Sequence, residues 1–212
     1  MRNLLLVAWL LLPVGAGAYH MGPGQDRLRE DDAARHLTEA GEFAATAAAL
    51  AISDGEDAAL DDWIAADRSY QLALENLPPK RMAARRKAML ERAKCQMQIS
   101  ELPEANRTLR GLVDELLSDD EQVEPALLRD AQQALASSEY YMTWLSRLEG
   151  SPREKWLPRI ESARQIQRLL ASSADTRGDS GAAAIARADL ESAIRLERMD
   201  LSELQGLPLP SQ

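Results

Sequence analysis

The chain has 212 residues, a formal net charge of −9 and one cysteine, Cys95. That length suffices for one domain with a substantial core, a lone cysteine excludes an internal disulfide, and the acidic balance argues against binding to nucleic-acid phosphates. Lysines and arginines number 25 against 34 acids, and the acidic excess concentrates in residues 25–62, which reads as a solvated face.

The first 18 residues open with Arg2, run apolar from Leu4 to Val14, and close on Ala16-Gly17-Ala18. Such a stretch is short for a spanning helix and fits an export signal cut before Tyr19. An uncleaved membrane anchor is the other reading, and either one places the rest of the chain outside the cytoplasm. Residues 19–25 read as an extended leader, because Gly22, Pro23 and Gly24 resist helix.

From 26 to about 205 the pattern predicts an all-α domain. The periodicity predicts helices near 26–52, 57–77, 80–100, 103–118, 125–149, 154–173 and 181–199, and no stretch alternates as a strand would. In the second, Trp63, Ala66, Tyr70, Ala73, Leu74 and Leu77 share one face. In the fourth, Leu102, Ala105, Leu109, Leu112, Val113 and Leu116 do so. In the fifth, Leu127, Leu128, Ala131, Ala134, Leu135, Tyr141, Met142, Leu145 and Leu148 fall in one arc. Tyr140 lies opposite that arc with Gln133, Ala136 and Arg147, and Trp144 stands at its edge. The second side of this helix is expected to pack on helices six and seven, near Trp156; a partner-binding patch at Tyr140 and Trp144 is the rival expectation. Helices three and seven are apolar on two faces, as in helices sandwiched between neighbours. Residues 173–181 read as a loop, and 206–212 as an irregular tail.

These spacings resemble tetratricopeptide (TPR) repeats, helix–turn–helix units that stack into a superhelix. Ala66, Tyr70, Ala73 and Pro78 carry the resemblance, with Ala105, Leu109 and Leu112, with Ala186, Leu190 and Ala193, and with Met89 followed by Ala93. Leu37, Ala40, Gly41 and Ala44 resemble the first helix of a unit. The repeats are irregular, and the long fifth helix fits no unit. Another helical bundle is the alternative.

Catalytic and metal motifs are missing from the sequence. His20, His36 and Cys95 stand in no zinc spacing, and no nucleophile elbow, phosphate loop or dinucleotide fingerprint occurs. No cofactor or metal is implied, and Cys95 reads as a buried, inert thiol. Arg177-Gly178-Asp179 spells an adhesion tripeptide but reads as an ordinary turn. Asn106-Arg107-Thr108 is a glycosylation sequon inside a predicted helix, an unsuitable context. The basic stretch 80–94 reads chiefly as a solvated helix paired with the acidic first helix. The resemblance implies a second role: Lys87, Leu90, Lys94 and Met97 would face a groove that takes an acidic peptide of a partner protein. The expected function is a non-catalytic protein-interaction scaffold of the cell envelope. A purely structural, membrane-tethered bundle and an enzyme of unrecognised type are the alternatives.

Overall fold

A computed structural model describes residues 23–119 and 124–205. The expected signal or anchor, most of the leader and the 206–212 tail lie outside them. The described residues form eight helices and no strand: α1 Pro23–Ser53, α2 Glu56–Asn76, α3 Met82–Gln98, α4 Leu102–Ser118, α5 Pro125–Leu148, α6 Arg153–Arg177, α7 Ser180–Arg198 and the short α8 Leu201–Gln205. The all-α expectation holds. Two boundaries move. α1 begins at Pro23, so positions 23–25 of the expected leader belong to the helix, since proline in a first turn forfeits no hydrogen bond. α6 continues to Arg177, because Ser, Ala, Asp and Thr do not break a helix whose carbonyls absorb their hydroxyls, as Thr176 Oγ1 donates to Ser172 O at 2.9 Å. The turn shrinks to Gly178 and Asp179. Gly178 takes φ 74°, and the Asp179 side chain caps α7 by accepting from Ala182 N at 3.0 Å. The adhesion-like tripeptide is thus a helix end, a left-handed glycine and a helix start.

Each helix from α1 to α7 packs on its neighbours in the chain, and α3 also touches α5. α1 and α2 meet along an alanine-rich seam. Ala33, Ala40 and Ala47 on α1 are fully buried, as are Ala59, Ala66 and Ala73 on α2. Leu37 and Ala44 fill the intervening turns of α1, and Trp63 and Tyr70 those of α2. Steps of three and four residues keep such a seam on one face, and small side chains let the helices approach closely.

α3 is sandwiched as its two apolar faces predict. Ala88 and Cys95 join the α1–α2 cluster, while Leu90, Ala93 and Met97 join the large cluster built with α4 and α5. The six residues predicted for the buried face of α4 are all buried. Two predictions fail in detail. Leu145, placed in the core arc of α5, is 42 % exposed. Asn106 on α4 bonds Ser138 on α5, so in this antiparallel pair α4 begins opposite about residue 142, and Leu145 lies beyond its end. Ile185, placed on a second buried face of α7, is 63 % exposed. Among the described residues no helix covers that side, because α8 packs on α5.

Candidate functional site

The basic stretch is largely consumed by structure. Lys80 and Arg81 pair with Glu30 of α1 at 3.4 and 2.8 Å, which agrees with the expected link to the acidic first helix. The Arg81 contact, with Lys80, holds the Glu30 carboxyl below its ordinary range. Arg85 donates to the carbonyls of Leu74 and Leu77 at 2.9 and 2.8 Å, serving the open end of α2. Arg86 reaches Glu115 and Asp119 from α3 to the end of α4, and Arg92 pairs with Asp67 of α2 at 3.0 Å. α3 is thereby pinned to three neighbours.

The four residues proposed to line a groove separate in space. Leu90 is 1 % exposed and belongs to the core. Lys87 is exposed and lines none of the concavities described below. Lys94 and Met97 do come together, on a concavity of about 440 Å³ between α2, α3 and α5. Lys94 Nζ sits 2.9 Å from Glu91, which absorbs much of its charge. Sequence spacing places Leu90 beside its helical neighbours, but α5 covers that turn and leaves only the C-terminal turns of α3 open.

Trp63 of α2 forms one wall of this concavity. Asp130, Gln133, Ser137 and Tyr141 of α5 form another. Ser137 and Tyr141 also line a second cleft of about 230 Å³, whose other walls include Tyr140 of α5, Ala163 and Gln167 of α6, and Asp189 and Ser192 of α7. The two hollows therefore adjoin along α5. The steps from Asp130 through Gln133 and Ser137 to Tyr140 and Tyr141 are three or four residues, so one stripe of α5 forms the common floor.

Tyr140 and Tyr141 meet edge to face, with centroids 5.6 Å apart. Burial raises both phenols above their ordinary range, and Asp189 adds to the effect. Trp144 is 4 % exposed and packs with Trp156, Ile160, Ala193, Leu196 and Leu204. It is core and offers no surface, which corrects the rival patch; the expected packing of this side on α6 and α7 is what the fold contains. Arg147 reaches across the same cluster. Its guanidinium lies 4.9 Å from the Trp156 ring centroid and donates to the carbonyls of Leu196 and Met199 at the end of α7.

Behind α5, away from the two hollows, lies a polar knot. Glu139 is completely buried, with Arg110 of α4 and Arg159 of α6 as its ionic partners. Asn106 accepts from Arg159 at 3.2 Å and donates to Ser138 at 2.9 Å. That burial removes Asn106 from the reach of a glycosylating enzyme. Cys95 is also buried, and burial pushes its thiol up to about 12, so no thiolate is present near neutral pH. Among the described residues no group of three or more His, Cys, Asp and Glu side chains could hold a metal, and no helix is long and apolar enough to cross a membrane.

Sequence reasoning missed Trp63, Ser137, Gln167 and Asp189 as lining residues. Gln133 and Tyr140 had been placed on the correct face of α5. Comparison of the chain with protein-family models, with curated proteins and with solved structures returns no match.

Proposed function

We propose that the chain is a non-catalytic interaction module of tetratricopeptide-like build, whose concave side takes a segment of a partner protein. The observation that carries this reading is the pair of adjoining hollows along α5. They lie between helices that pack in chain order, with α3 also touching α5 across the intervening α4. Alternate helices in contact, joined by short turns, are the geometry of stacked hairpins. Ala66, Tyr70 and Ala73, and Ala105, Leu109 and Leu112, are all buried where neighbouring helices meet, as the repeat resemblance requires. A groove with an aromatic wall, a thioether and scattered polar groups suits a peptide better than a small metabolite.

The same proposal places the module outside the cytoplasm, delivered by residues 1–18 as a cleaved signal or retained anchor. A photo-crosslinking residue at Ser137, within the groove, should trap a partner in intact cells. The same residue at Arg107, exposed on α4, should not trap it. The adduct should fractionate outside the cytoplasm; sequencing from Tyr19 would indicate cleavage, and a retained Arg2 the anchor. Equal trapping from both positions, or none from Ser137, would leave the module as a structural bundle. An adduct confined to the cytoplasm would end the export reading.

A further inference from the structure

The smaller cleft holds two unsatisfied acceptors. Asp189 is half-buried, and its Oδ2 accepts from Gln133 Nε2 at 2.9 Å and Gln167 Nε2 at 3.3 Å. Among the described residues no cation comes within ion-pair distance of this carboxylate; the nearby Arg195 pairs instead with Glu191 at 3.7 Å. Gln167 is 3 % exposed and lines the cleft. Its amide orientation is fixed, because a carboxylate can only accept and so faces Nε2. That leaves Gln167 Oε1 buried with no donor. A half-buried carboxylate and a buried amide oxygen without partners both incur a desolvation cost that a donor would relieve.

Building on the interaction-module reading, we propose that this cleft is a recognition pocket for one arginine side chain of the partner segment. A guanidinium carries several donors in a planar fork, enough for Asp189 Oδ1 and Gln167 Oε1 together, and its flat face can lie against Tyr140. Ser137 and Tyr141 join the pocket to the larger concavity, so a chain lying in the groove can drop a side chain into it. Asp130 on the shared floor carries the same sign. This reverses the charge expected of the partner from the basic stretch of α3, whose cations are mostly held by internal acids.

The test is a titration of the isotope-labelled full-length protein with two pentapeptides, acetyl-Gly-Ala-Arg-Ala-Gly-amide and its citrulline twin. Citrulline keeps the shape of arginine and loses the charge. The arginine peptide should shift the Gln167 side-chain amide and the Tyr140 ring saturably, and bind about ten-fold or more tighter than the citrulline peptide, a gap of about 1.4 kcal/mol or more. Asp189→Asn should remove that preference while leaving the weak citrulline binding unchanged, a result that unfolding cannot imitate. Equal affinity for the two peptides, no saturable shift at Gln167, or a preference that survives Asp189→Asn would overturn the proposal. If trapping at Ser137 succeeds and the peptides bind alike, only this inference falls. If the peptides differ and nothing is trapped, the interaction-module reading falls and the pocket stands.

Discussion

Glu139→Ala is expected to cost about 3–5 kcal/mol of folding stability, towards the lower end of that span. The carboxylate has no exposed surface and is flanked by Arg110 and Arg159 from two other helices. Removing it leaves two guanidiniums facing one another without a counter-charge. Arg110 is about half exposed and Arg159 about a third, so water relieves part of the cost. Arg159 also loses an aligned setting, because it donates to Asn106, which in turn holds Ser138. Urea unfolding measures the effect through its midpoint, with an unchanged slope. A loss below about 1 kcal/mol would mean that the knot is a surface ion pair in energetic terms. Replacing Glu139, Arg110 and Arg159 together by apolar residues of similar size should recover much of the loss, because the desolvation penalty goes with the charges.

The second large effect lies in the aromatic stretch of α5. Trp144→Ala alone should cost about 3–5 kcal/mol, and adding Tyr140→Ala should raise the loss further. Trp144 is the point where α5, α6, α7 and α8 converge, with Trp156, Ile160, Ala193, Leu196 and Leu204 around it. Its removal opens a cavity that four helices cannot close by small shifts. Tyr140 is half-buried against the same cluster and also walls the smaller cleft, so its share of the loss is smaller. Thermal unfolding of the single and double variants checks the order. A double variant that melts like the parent would place both rings on a free surface.

Much of the fold is legible in the sequence, for a physical reason. α4 shows one clean stripe because only one of its faces is buried, and every predicted residue of that stripe is in the core. The alanine seam of α1 and α2 is readable in the same way. The errors arise where burial depends on helix lengths rather than on the helix itself. Leu145 sits on the correct face of α5 but past the end of α4, and Ile185 on a face of α7 that no described helix covers. The 173–181 stretch was misread because small polar residues suit a loop and an exposed helix equally.

The candidate site was less legible. Gln133 and Tyr140 were found because α5 has a second face, visible on a helical wheel. Met97 was found through the repeat resemblance. Gln167 and Asp189 left no signal, since a polar residue on a helix looks the same whether it meets water or a neighbouring helix across a cleft. Leu90 shows the converse: its spacing matched the groove face, but packing by a helix some 40 residues later covers it.

The claim that the concave side of α5 receives the partner is tested most directly by filling that side. Ser137 belongs to both hollows and is only half-buried, so Ser137→Trp can occupy the groove without disturbing the core. The partner trapped from the groove should bind this variant about ten-fold or more weakly, a loss of about 1.4 kcal/mol or more, while the melting temperature stays that of the parent. Unchanged affinity with unchanged melting would contradict the account and move the docking surface elsewhere.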